Sequence, residues 1–173
     1  MESSATAKEN VTFSIPNWSE RISKESDPNN REIIAYLSGK EDGKIEESER
    51  TKTLFFTNLE VCCYYSTKFF NYITQDKKIV CDFATIKAES INSFHSLFLI
   101  PFEQYKDKDV RSALFKEAND FRKALKIKDV LLEISVMPVT EKIDKSEIYS
   151  DGFILDYNIN DEAPANVRPR KAQ

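Results

Sequence analysis

Two stretches of the chain repeat their apolar residues at the spacing of an amphipathic helix. Between Leu59 and Ile73, apolar residues and one serine recur at i, i+3, i+4, i+7, i+10, i+11 and i+14, which predicts one buried helical stripe. A second helix is predicted over 107–126, with Asp107 or Asp109 as its N-cap. Its buried stripe consists of Val110, Ala113, Leu114, Ala118, Phe121 and Leu125.

Short apolar runs, most of them alternating with polar residues, predict strands around these helices. Three of them cover 77–88, 96–102 and 128–139. A further strand is expected at 53–56, directly before the first helix. Because successive side chains of a strand point to opposite faces, Leu54 and Phe56 would lie in the core and Phe55 on the opposite side. The elements then run strand, helix, strand, strand, helix, strand.

This order predicts an α+β fold of the ferredoxin-like type. Such a domain has two crossover helices on one face of a four-stranded antiparallel sheet and leaves the other face open. We expect it to span residues 51–140. Residues 1–50 are expected to form an N-terminal extension, partly disordered and with short strands in places. Residues 141–160 are expected to form a C-terminal strand or hairpin extension, and residues 161–173 a disordered tail.

Two segments of the predicted sheet resemble the signature motifs of an RNA recognition motif. "LFFTNL" at 54–59 is similar to the hexamer of that family's first strand, and "HSLFLIPF" at 95–102 to the octamer of its third strand. The resemblance places Phe55, Leu97 and Leu99 on the open sheet face. In the family, aromatic residues there stack on the bases of single-stranded RNA. The two leucines depart from this pattern, because aromatic residues are expected at both positions.

The resemblance implies a non-catalytic binding module in RNA metabolism. Its open face would bind single-stranded RNA weakly, a protein partner, or both, with Lys52, Lys87 and Lys128 as candidate phosphate contacts. The alternative is a protein-interaction or complex-assembly subunit of the same RRM-like fold that does not bind RNA. A face with one aromatic and two leucines suits a protein as well as a base, so both hypotheses stay open.

The segment "VTFSIPNW", residues 11–18, alternates ahead of the main domain. It fits an edge strand or a docking segment. Trp18 is a candidate anchor for a partner, because buried tryptophans often dominate the binding energy of interfaces. The other interpretation is that Trp18 folds back onto its own domain.

Composition narrows the function classes further. The apolar fraction is 40%, charged residues make up 31%, and the net charge is −4; no apolar run is long enough for a spanning helix, and no secretory leader is evident. We therefore expect a nuclear or cytoplasmic protein that binds no membrane. The three cysteines lack metal-ligand spacing and are expected to be reduced. No catalytic motif is present, so we predict no enzyme, no metal and no small-molecule cofactor.

Overall fold

The α+β class is confirmed, and the structure is built on one five-stranded sheet. The computed structural model describes residues 15–20, 45–126, 128–153 and 155–159. The strands are β1 (Trp18–Glu20), β2 (Phe83–Ala88), β3 (Ser93–Pro101), β4 (Leu131–Val139) and β5 (Leu155–Tyr157). The helices are α1 (Ile45–Asn71), α2 (Phe102–Lys106), α3 (Lys108–Lys126) and α4 (Lys145–Ser150), and a π-helical turn (Tyr72–Asp76) continues α1.

The strand predicted at 53–56 is wrong, because this segment lies inside α1. The described part of the helix runs from Ile45, and Thr57 is a mid-helix residue whose hydroxyl donates to the carbonyl of Thr53 at 2.9 Å. All seven residues of the predicted stripe are buried. The stripe also extends back by one turn to Asn58 and Phe55, at i−1 and i−4 from Leu59.

Because residues 53–56 are helical, the strand order of the sheet differs from the predicted one. The strand order is β1-β5-β2-β3-β4, with β2 antiparallel to β3 and β3 parallel to β4. In the ferredoxin-like arrangement the first strand would separate the two strands now called β3 and β4. Since that segment is helical, β3 and β4 pair directly, and the crossover through α2 and α3 makes the pair parallel. The four-stranded antiparallel sheet is therefore not observed.

The second helix and the three later strands agree with the sequence pattern. Asp107 caps α3, since its carboxylate accepts hydrogen bonds from the backbone N–H groups of Asp109 at 2.8 Å and Val110 at 3.3 Å. On the helix-covered face of the sheet, α1 packs over β2 and β3, and α3 packs over β4. The core of this face is centred on Phe69, Phe94 and Phe98.

Both terminal extensions contribute strands to the sheet. At one edge β1 pairs with β5, and β5 pairs with β2. The segment between β4 and β5 includes α4, capped by the Asp144 carboxylate at 2.8 Å from the N–H of Ser146. It then turns at Gly152, whose φ of +90° is one that residues with a side chain adopt rarely.

The buried thiols lead to a first prediction. Cys62, Cys63 and Cys81 are free and buried, and burial raises the pKa of Cys62 and of Cys81 to about 12 and that of Cys63 above its ordinary value. Because only the thiolate is an efficient nucleophile, none should react with a thiol-specific disulfide reagent in the native protein at pH 8. All three should react after denaturation in guanidinium chloride. Rapid reaction of the native protein would contradict the burial.

Candidate functional site

The predicted RNA-binding platform is not assembled. Phe55 is only 7% exposed and packs on the helix-covered face, its ring centroid 5.8 Å from that of Phe94. Leu97 and Leu99 lie on the other face of β3. The sheet therefore separates Phe55 from the two leucines, and placing Phe55 beside them was wrong.

The face that carries Leu97 and Leu99 is also covered there. These two leucines form a second buried cluster with Phe83 and Phe153. Its cover comes from the segment after β4; the partly buried residues packed on it are Val139, Ile143, Ile148 and Tyr149. With 5% and 2% exposure, the two leucines offer no surface to a base.

The other predicted site residues are dispersed. Lys52 lies half-buried in α1, and Lys128 is exposed in the turn between α3 and β4. Lys87 is on β2, with its ammonium 3.6 Å from Glu89 and 5.0 Å from the centroid of the Phe153 ring. Trp18 is buried against its own domain, as the second interpretation expects, and is not available as a partner anchor.

A polar cluster borders the covered face. His95 Nε2 lies 2.9 Å from Ser135 Oγ on the neighbouring strand β4, and His95 Nδ1 lies 4.0 Å from a Glu89 oxygen. Burial lowers the pKa of His95, and the nearby Lys87 lowers it further, whereas Glu133 and Glu89 raise it. Burial is the largest of these effects, so the imidazole is held mainly neutral and links β3 to β4.

The lowered pKa of His95 predicts how stability depends on pH. The unfolded chain, with an imidazole pKa near 6.5, binds a proton at a higher pH than the folded chain. The free energy of unfolding should therefore fall as pH drops below about 6.5, until the pH passes the folded pKa. His95 is the single histidine of the chain. The His95→Gln variant should show no such slope between about pH 7.5 and 5.5 in urea denaturation, and an unchanged slope would contradict the assignment.

The outer side of β4 carries backbone hydrogen-bonding groups that pair with no described residue. β4 ends the strand order, and no described residue pairs with its outer side. The N–H of Leu131 donates to Asn92 O at 2.8 Å, toward the β3 side. Since alternate residues of a strand direct their backbone groups to opposite sides, Leu132, Ile134 and Val136 direct N–H and C=O outward. Pro138 follows in the same series, which is where a proline is tolerated in an edge strand.

Apolar side chains flank this open edge on both sides of the sheet. Leu131 and Met137, on the face of β4 opposite α3, are 48% and 44% exposed. Above the edge lies α3, where Phe115 is 50% exposed. The outer edge of β4 and the flank of α3 next to it are together called the β4 cleft here. Backbone groups lie along the strand, and apolar side chains lie on either side of it.

Sequence reasoning missed the β4 cleft for a physical reason. Strand β4 itself is predicted over 128–139, and it would end the ferredoxin-like sheet as well, because the strand at 53–56 would lie between β3 and β4. Whether another segment pairs with the outer side of β4 depends on tertiary packing, which no local pattern reveals. The sequence does offer a signal in Phe115, an apolar residue that falls outside the predicted stripe of α3.

Comparison of the chain with known proteins identified no relative. Neither a protein-family model, a curated protein nor a solved structure matches the chain. Among the described residues, no helix is both long and apolar enough to cross a membrane, and no group of three or more His, Cys, Asp or Glu is arranged to hold a metal ion.

Proposed function

We propose that this protein is a non-catalytic protein-interaction module that binds an extended peptide segment in the β4 cleft. The peptide adds to the sheet as a strand beside β4, in the mode known as β-augmentation. The observation that carries the proposal is the outer side of β4, which pairs with no described residue and directs three N–H groups outward over residues 131–139. Main-chain hydrogen bonds supply affinity in this mode, and flanking side chains supply specificity.

This proposal keeps the protein-interaction hypothesis and abandons the predicted RNA-binding platform. A base needs an exposed aromatic ring, and Phe55 lies in the core. A peptide strand needs unpaired backbone groups at a sheet edge, and among the described residues none pairs with the outer side of β4. RNA binding at another surface stays a prediction. It would be supported if labelled mixed-sequence single-stranded RNA still bound the protein when the edge of β4 is blocked.

The proposal is tested by selecting a displayed library of random nine-residue peptides for binding to the full chain. Enriched peptides should bind the Ile134→Pro variant at least about tenfold more weakly, because proline removes an outward N–H. The Ile134→Val variant keeps that N–H and should bind with unchanged affinity. Thermal unfolding establishes that both variants fold. Equal binding by all three proteins, or no enriched peptide, would contradict the proposal.

A further inference from the structure

The flank of α3 beside the β4 cleft carries a run of cations. Six residues recur at i, i+3, i+7, i+11, i+14 and i+18, which is one line along a helix. They form what is here called the basic stripe: Lys108, Arg111, Phe115, Asn119, Arg122 and Lys126. Four of the six are cationic and none is acidic.

The core contacts of α3 show which way the basic stripe faces. Leu114 and Leu125 are buried against the sheet, and the stripe lies roughly a quarter-turn round the helix from them. Phe121 lies on the other side of this buried line, and its ring packs at centroid distances of 5.6 Å from Tyr65 and 6.2 Å from Phe69 of α1. The stripe is therefore on the side of α3 away from α1, where β4 has its open edge.

Charge is segregated between the two flanks of α3. Its three carboxylates, Asp109, Glu117 and Asp120, lie outside the basic stripe. The ion pairs on and around α3 join Lys106 to Glu103 and Lys123 to Asp120. In the described part of the chain, none of the four cations of the stripe is within ion-pair distance of a carboxylate; Arg111 instead lies 5.6 Å from the Tyr105 ring centroid.

We propose that the partner is an acidic extended peptide whose carboxylates face the basic stripe. This inference rests on the proposed function, since a strand added beside β4 would turn alternate side chains toward α3. Carboxylates on that face complement Arg111 and Arg122, and an apolar residue between them meets Phe115. Arginine matches a carboxylate with two parallel hydrogen bonds.

The opposite face of the added strand meets different chemistry. There it lies beside Leu131 and Met137, six residues apart on β4, with the exposed Glu133 between them. Apolar residues six apart and one basic residue complement this face. The peptide VETVKEV has both patterns: glutamates flank a valine on one face, and two terminal valines and a lysine lie on the other. The charge-reversed peptide VKTVEKV keeps the spacing and the β-propensity.

Fluorescence anisotropy with these two peptides tests the inference. At an ionic strength of about 0.02 M, VETVKEV should bind at least about tenfold more tightly than VKTVEKV, and the difference should shrink near 0.15 M as charges are screened. The Arg111→Glu/Arg122→Glu variant should invert the order of the two peptides. The Lys116→Glu/Lys123→Glu variant makes the same charge change on the outer face of α3 and should preserve the order.

The outcomes separate this inference from the proposed function. Suppose that library peptides depend on the β4 edge, but VETVKEV and VKTVEKV bind equally or neither binds. The acidic partner is then contradicted, and peptide binding in the β4 cleft is retained. If no peptide depends on the β4 edge for binding, the proposed function itself is contradicted. If mixed-sequence single-stranded RNA displaces VETVKEV and is weakened by Arg111→Glu/Arg122→Glu, the stripe is a phosphate-binding surface and the acidic-peptide assignment is overturned.

Discussion

Replacing Phe55 by alanine should lower the free energy of unfolding by about 3 kcal/mol. The ring is buried in α1, with the rings of Phe56 and Phe94 at centroid distances of 5.6 and 5.8 Å. Alanine would leave a cavity between the helix and β3. Urea denaturation followed by circular dichroism measures the change.

The adjacent Leu54 provides a matched control for this experiment. Its side chain is 51% exposed, so Leu54→Ala should change the free energy of unfolding by no more than about 0.5 kcal/mol. A strand at 53–56 would produce the reverse order, with Leu54 buried and Phe55 exposed. A large loss for Leu54→Ala and a small one for Phe55→Ala would contradict the helical assignment.

Replacing Trp18 by alanine should cost a similar amount, about 3 kcal/mol. The indole is buried, packs edge-on against Tyr157 at 5.2 Å between centroids, and donates from Nε1 to Thr67 Oγ1 at 3.0 Å. It therefore attaches the short strand β1 to both β5 and α1. Without the indole, β1 keeps three residues of pairing with β5 and the hydrogen bond from Ser19 Oγ to Asn158 Oδ1 at 2.8 Å.

A Trp18→Phe variant separates the two contributions of the indole. Phenylalanine keeps most of the ring packing and loses the hydrogen bond, so its cost should be near 1 kcal/mol. Thermal or urea unfolding of both variants measures the difference. A Trp18→Ala variant as stable as the natural protein would contradict the fold-back and return Trp18 to the role of an exposed anchor.

The first helix shows why the pattern predicted part of the fold and not all of it. The run Leu54 to Phe56 is short enough to fit a strand or one turn of a helix. What decides is the polar stretch before it, 45–53, which is rich in the helix formers Glu, Arg and Lys. That stretch extends the helix N-terminally and brings Phe55 into the buried stripe. The later stripe and strands have unambiguous periods and are confirmed.

The candidate site was less predictable, because it depends on neighbours in space. Leu97 and Leu99 do share a sheet face, as the alternation of β3 requires. Their burial comes from the segment 143–153, whose packing no local pattern reveals. The β4 cleft likewise depends on tertiary structure, because no described strand pairs with the outer side of β4. The basic stripe was readable from the sequence, by charge sign on the non-core positions of α3.

Amide hydrogen exchange along β4 tests the central claim most directly, because neighbouring residues serve as each other's controls. In the free protein, the outward amides of Leu132, Ile134 and Val136 should exchange faster than the inward amides of Glu133 and Ser135. A saturating library-selected peptide should slow the three outward amides by at least about tenfold and leave the inward ones nearly unchanged. Uniform exchange along free β4, or peptide protection confined to other elements, would contradict the account.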